Sequence, residues 1–361
     1  MQTIPLVDVR AEYEPLIPRL EAAFREVLDG KGFIRGQNYW AFQEEAAAYL
    51  GVKRTIGVAN GTDALVLALE ALGVGSGDEV ICPAFTFYAT AESVVRRGAT
   101  PVFADIDPVT LNLDVEDTAA RVTDRTRAII SVHLFGRMMD VRPLVELGVP
   151  VLEDAAQAFG APEVAQHGAI STFSFYPTKN LFCLGDGGLV ATNDDDLAER
   201  VKLLSFHGSQ DKESFELVGY NSRLDELQAA FLRIFLRHLD DWTAQRREAA
   251  ERYRELGLGA LVEVPEDEPG HVYHLLVCRS PQRDAIREAL ADRGIATAEY
   301  YLPPLHLQPA LAYLDYGLGS LPVTENLAVE NFSVPLWAGI DADTQEQVVD
   351  AVRDALAVKV G

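Results

Sequence analysis

Between residues 55 and 193 the chain repeats one pattern: a short, β-rich apolar run that breaks off into a loop or a helix. The runs are TIGVAN (55–60), EVICPAF (79–85), TPVFADI (100–106), AIISVHLF (128–135), PVLEDAA (150–156) and GLVATN (188–193). Such alternation is the signature of a mostly parallel sheet covered by helices, so the expected class is α/β. DALVLALEALG (63–73) reads as one covering helix, closed by Gly73 as its C-terminal cap. Helical periodicity over 12–30 and a second helix up to Gly51 precede the pattern. After it, 223–257 reads as a long helical region that bends near Asp240-Asp241. HVYHLLVCR (271–279) and NFSVPLWA (331–338) read as strands, and SPQRDAIREALADRG as a helix with Ser280 as N-cap and Gly294 at its end. A last helix spans about 342–357. At 361 residues the expected organisation is a large α/β domain over 1–240 and a smaller α/β domain over 241–361.

One lysine stands out. Of six lysines, five (31, 53, 202, 212 and 359) sit in turns, on a polar helix face or in the tail. Lys179 lies in FSFYPTKNLFCLGDGG (173–188), hemmed in by Phe173, Phe175, Tyr176, Leu181 and Phe182. Withdrawal from water lowers an amine's pKa, which is what a nucleophilic or Schiff-base lysine needs. A lysine whose stem follows an apolar rim while its head reaches water has the same sequence signature.

Charge and cysteines narrow the setting. A net charge of −24 argues against nucleic-acid or anionic-membrane partners, and requires any anionic ligand to be held by a local concentration of donors. No apolar run reaches the ~18 residues of a membrane span, and the start lacks the pattern of a signal peptide. Three scattered cysteines (82, 183 and 278) suit neither a disulfide framework nor a zinc site, so a reducing cytoplasm is expected.

Ligands of α/β sheets gather at the carboxyl ends of the strands, and several notable residues fall there. Asn60-Gly61-Thr62 closes a strand and opens a helix, which offers N–H groups and a positive dipole end to a phosphate; a plain capped helix is the alternative. VLEDAAQAFG (151–160) delivers Asp154 and Gln157 with no second ligand at metal spacing, so no metal is expected. A carboxylate there could keep a pyridinium nitrogen protonated. Phe87 in CPAFTFYAT could stack on a planar ring or pack in the core. Together, a phosphate cradle, a ring-stacking aromatic, an acid and a desolvated lysine are the requirements of pyridoxal 5′-phosphate (PLP). GVGSGDE (73–79) follows a helix instead of a strand and GDGG (185–188) lacks a P-loop ending, so both read as turns.

NGTDAL, GDEVICPAFTFYAT, GATPVFADID, VLEDAAQAFGA, FSFYPTKNL-x3-GDGG and GYNSRLDELQAA together resemble the DegT–StrS family of PLP-dependent nucleotide-sugar aminotransferases, over essentially the whole chain. The resemblance implies a fold-type I enzyme, with a mostly parallel seven-stranded sheet in the large domain and a smaller C-terminal domain. It implies a homodimer with active sites at the subunit interface. It implies that Lys179 forms the Schiff-base link and shuttles the proton, Asp154 pairs with the pyridine nitrogen, Gln157 lies near the ring hydroxyl and Phe87 covers the ring. Gly61, Thr62, Asp63 (through its N–H) and Ser174 would cradle the phosphate, and Asn221 would reach the phosphate of the partner's cofactor. Arg223, Tyr301 and His306 resemble substrate-facing positions; on the residues alone Asn221 and Arg223 could be turn and surface residues, and His306 and His133 structural. The stretch between Asp154 and Lys179 is shorter than the family's usual one, and Tyr300 stands where many relatives have histidine.

The expected activity is transfer of an amino group from glutamate to a nucleoside-diphosphate 3- or 4-keto-deoxysugar. Alternatives are an aminobenzoate-type synthase acting on a carbocycle and a non-catalytic regulator that retains the fold. A related dehydratase would carry histidine at position 179.

Overall fold

The computed structural model describes residues 3–357. Seven strands form one sheet in the order β1-β7-β6-β5-β4-β2-β3. They are β1 (Arg54–Val58), β2 (Glu79–Pro83), β3 (Thr100–Ala104), β4 (Thr126–Val132), β5 (Val151–Asp154), β6 (Ile170–Ser174) and β7 (Gly188–Thr192). The pairs β2–β3, β2–β4, β4–β5 and β5–β6 are parallel, and β7 runs against both β1 and β6. The mostly parallel α/β sheet expected from the sequence is therefore present. β2 and β7 are buried along their whole length, as strands covered on both faces must be.

Two apolar cores flank this sheet. On one face, helices Gly61–Ala71 and Ala89–Arg96 pack Leu65, Leu69 and Val94 against Val80 and Ile130. On the other, Phe42, Phe159, Phe173, Phe175, Phe182 and Phe235 form an aromatic-rich core beneath helices Gln37–Leu50 and Glu226–Leu236. A third cluster surrounds an antiparallel pair, β8 (Leu276–Arg279) and β9 (Asn331–Val334), covered by helices Arg283–Asp292 and Ala342–Ala357. Helix Leu239–Glu255 serves two cores, with Leu239 and Trp242 in the aromatic one and Ala249, Ala250 and Tyr253 in the third. It also carries Arg246, which is buried and bonds Glu12 of the N-terminal segment at 2.6 Å.

Several local readings need correction, among them NFSVPLWA, of which only 331–334 pair as a strand. β6 leads directly into the lysine loop, and its residues merge with the aromatic run that follows, so no turn residue marks it as a separate strand. Residues 271–275 are not part of a strand: the N–H groups of Val272 and His274 donate to the carbonyls of Gly136 and Phe135, so only 276–279 are left to pair with β9. Ser280 caps no helix directly. Its Oγ accepts from Gln282 N at 3.1 Å in a preceding turn, and the helix starts at Arg283. Among the described residues no helix is long and apolar enough to cross a membrane.

Candidate active site

Lys179 follows β6 in a loop of irregular backbone, and hydrophobic pegs on both sides hold that loop. Phe175, Leu181, Phe182 and Cys183 are fully buried. Phe175 packs edge-on against Phe42, and Phe182 stacks on Phe235 at 4.7 Å. Cys183 N donates to Phe175 O at 2.7 Å and closes the base of the loop. Of the five residues that surround Lys179 in sequence, Phe173, Phe175, Leu181 and Phe182 point into the core, and Tyr176 is exposed. They fix the backbone of the loop.

The Lys179 side chain is half-buried, and its ammonium makes no hydrogen bond or ion pair among the described residues. Burial pushes its pKa down to about 8, with the nearby Asp154 carboxylate opposing the shift. Asp154 ends β5 and is itself buried. Burial raises its pKa above the ordinary carboxylate range, against the Ala156 N–H, the Thr90 hydroxyl and the charge of Lys179. Thr90 Oγ1 donates to Asp154 Oδ2 at 3.1 Å, and Ala156 N donates to Oδ1 at 3.2 Å. Next to it, Glu153 accepts from His133 Nε2 at 2.8 Å; Met139 N donates to Nδ1 of the same ring, so the proton lies on Nε2. His133 is thus a buried structural partner of Glu153. His274, buried with Nδ1 unpaired, is held neutral first by burial and then by the charge of Lys179.

Beyond β1, Asn60 caps helix Gly61–Ala71, and its Oδ1 accepts from Asp63 N at 2.8 Å. The Asp63 N–H expected to face a phosphate is therefore already committed. The N–H groups of Gly61 and Thr62, in the first turn with no preceding helical carbonyl, remain available, as does the Thr62 hydroxyl. A Cβ on Gly61 would lie 2.7 Å from Ser174 Cβ and 3.3 Å from Ser174 Cα, so only glycine lets the helix start approach the end of β6 this closely. That approach sets Ser174 beside the free helix N-terminus.

The other expected residues divide into two groups. Phe87 is 60% exposed, with Tyr301 6.5 Å away between ring centroids. Tyr301 stacks on Phe135, and its hydroxyl accepts from Gln157 Nε2 at 3.0 Å. Gln157 Oε1 takes the Phe135 N–H at 2.6 Å, so this amide is spent on protein groups at both ends. His306 does not line an open surface: it is buried and bonds Glu325 through Nε2 at 3.0 Å. Asn221 is exposed and accepts from Arg223, whose Nη1 is buried without a partner. Thr90 and His274 were not singled out from the sequence, because nothing local relates them to Asp154, 64 residues from Thr90, or to Lys179.

The free groups fit PLP. An uncommitted, easily deprotonated amine, a buried acid, an exposed phenyl ring and a donor-rich helix start next to a serine all lie at the carboxyl ends of the parallel strands β1, β2, β5 and β6 or in the loops that follow them. Among the described residues there is no cluster of three or more histidine, cysteine or acidic groups able to hold a metal ion.

The model described as the DegT/DnrJ/EryC1/StrS aminotransferase family matches residues 17–353. A protein of Geobacillus stearothermophilus named pleiotropic regulatory protein is 45% identical, with 97% of this chain and 98% of that protein covered. The dTDP-3-amino-3,4,6-trideoxy-alpha-D-glucose transaminase of Streptomyces venezuelae is 42% identical, with 97% and 96% covered. The crystal structure of S. venezuelae DesV in complex with a ketimine intermediate superposes with a TM-score of 0.94 at 41% identity, covering 98% of both chains.

Proposed function

This chain belongs to the DegT/DnrJ/EryC1/StrS aminotransferase family, and from that membership we propose how its own residues share the work of a PLP-dependent aminotransferase acting on nucleotide sugars. The observation that carries the reading is Lys179, an amine whose pKa burial lowers to about 8, with no partner among the described residues, near a buried acid. When bound, PLP supplies an electron-withdrawing ring that makes a C–H bond next to the attached nitrogen acidic. Lys179 would anchor it and then, as a free amine, take and return that proton, since a base titrating near neutrality is suited to both directions. Asp154, positioned by Thr90 and Ala156, would hold a proton on the ring nitrogen. The N–H groups of Gly61 and Thr62, with the hydroxyls of Thr62 and Ser174, would hold the phosphate at the positive end of a helix. Phe87 would cover one ring face, and Gln157 would keep Tyr301 placed beside it.

The amino group would pass from glutamate to a 3- or 4-keto-deoxysugar carried on a nucleoside diphosphate. We further propose that the chain works as a homodimer in which Asn221 enters the partner's site, with Arg223 facing the substrate. Exposed Phe24, Leu28, Phe33, Ile34 and Trp40 form the kind of apolar surface that a second copy would cover. A cytoplasmic location suits its three buried free thiols.

The test is chemical. Borohydride reduction of the PLP-loaded protein, followed by peptide mass spectrometry, should place a pyridoxyl mass on Lys179. Lys179→Ala and Lys179→Arg should lose the label, the visible absorbance of the cofactor and turnover. A label on another residue, or an active Lys179→Ala enzyme, would refute the assignment.

A further inference from the structure

In a chain of net charge −24, a doubly charged anion is repelled almost everywhere, so a place where cations collect without ion-pair partners is informative. One such place is the ring of Phe206. The Arg35 guanidinium lies 4.5 Å from its centroid, Lys212 Nζ 5.0 Å and the Arg223 guanidinium 5.4 Å. Arg35 also lies 4.8 Å from the ring of Trp40. The aromatic faces attract the cations and offset part of their mutual repulsion. Among the described residues none of the three has an ion-pair partner, and Arg35 Nε and Arg223 Nη1 are buried without a hydrogen bond.

The cluster is built by long-range contacts. A Cβ on Gly36 would lie 2.6 Å from the Glu226 carboxyl carbon; with glycine there, Glu226 accepts from Asn38 N at 2.7 Å and Tyr39 N at 3.0 Å. Glu226 N in turn donates to Phe33 O. Arg35 is thereby pinned next to the segment that carries Arg223. Phe206 pairs with Asn221 through a β-bridge, and Ser209 Oγ accepts from Lys212 N at 2.8 Å. Ser222, between Asn221 and Arg223, accepts from Ala59 N at 3.1 Å, so the cluster adjoins the strand end that opens into the phosphate cradle.

We propose that Arg35, Lys212 and Arg223, gathered on Phe206, form an anion site that binds the diphosphate of the nucleotide-sugar substrate. Two planar guanidinium forks with unspent donors match the oxygens of a diphosphate, and the mobile ammonium of Lys212 adds a third charge. This assignment rests on the sugar-nucleotide reading above, and its residues Arg35 and Lys212 belong to no motif that supports that reading.

The experiment is titration calorimetry of the PLP-loaded protein with UDP, dTDP and inorganic pyrophosphate at two salt concentrations, for wild type, Arg35→Gln, Arg35→Lys and Lys212→Gln. Loss of one charge-assisted contact should weaken binding of at least one nucleoside diphosphate by about ten- to a hundredfold and flatten the salt dependence, with Arg35→Lys in between. Lys212 is exposed on its loop, so Lys212→Gln gives a folded comparison if the Arg35 variants are unstable. Nucleoside diphosphates that bind wild type and all variants equally well would overturn the site while leaving the sugar-nucleotide reading intact. Pyrophosphate binding that depends on Arg35, with no binding of either nucleotide, would keep the anion site and refute its assignment to that substrate. A change in dimer dissociation with unchanged nucleotide affinity would instead give the cations to a carboxylate of the second copy, and would overturn the proposal.

Discussion

Replacing Lys179 by methionine should make the cofactor-free protein more stable at neutral pH, and on the proposed role of Lys179 it should also abolish the chemistry. The folded state lowers the amine from 10.5 to about 8, which costs about 3 kcal/mol wherever the lysine is protonated in both states. The sign follows from proton counting: between pH 8 and 10.5 the unfolded chain binds more protons, so stability rises with pH. The cost is complete below pH 8, falls to about 2 kcal/mol at pH 9 and vanishes above 10.5. Methionine keeps the length of the side chain and has no charge to desolvate. Part of the gain is returned, because Asp154 loses its nearby cation and its already raised pKa climbs further. A net stabilisation of about 1–3 kcal/mol at pH 7 is expected, narrowing steadily toward pH 10. Urea denaturation of both proteins without PLP, at intervals from pH 6.5 to 9.5, measures it. A variant of equal or lower stability, or a difference that stays flat across that range, would show that Lys179 is not desolvated by the fold.

Two other substitutions probe the supports of the site. Gly61→Ala would push its methyl into Ser174, so it should weaken PLP binding at least tenfold in an absorbance titration and cost about 1–3 kcal/mol in denaturation; unchanged PLP affinity would remove the cradle. Glu12→Ala leaves the buried Arg246 charge without its partner and should destabilise the fold by about 3–5 kcal/mol, whereas changing both residues to well-packed apolar ones should recover much of that loss.

What the sequence revealed depended on how far apart the cooperating residues are. The parallel strands, the Gly61 helix start and the lysine loop each announce themselves within about a dozen residues, by an apolar run ended by glycine or by a lysine amid aromatics. Contacts across the chain left no such mark. Glu226 fixes the start of helix Gln37–Leu50 from 188 residues away, and it is this contact that brings Arg35 to Arg223. His306 looks like a loop histidine until Glu325, 19 residues on, is found holding it in the interior. Asn60-Gly61-Thr62 reads equally as a phosphate loop or a capped helix, and the structure shows Asn60 capping the helix through the Asp63 N–H. The aromatic residues around Lys179 anchor the backbone of its loop, and the depressed pKa comes from burial of the amine, which the nearby Asp154 carboxylate opposes.

The lysine loop has no helix or strand, yet both its ends are driven into an aromatic interior like two piles in rock. The amide protons of Phe175 and Cys183, which donate to Gly187 O and Phe175 O at the buried ends of the loop, should therefore exchange with solvent about as slowly as those of the central strands. If Lys179 is the base proposed above, motion during turnover would be confined to the four methylenes of a single side chain, a swinging arm on a fixed mount. In the role proposed for Lys179, alternating between holding the cofactor and moving a proton would require no rearrangement of the main chain there.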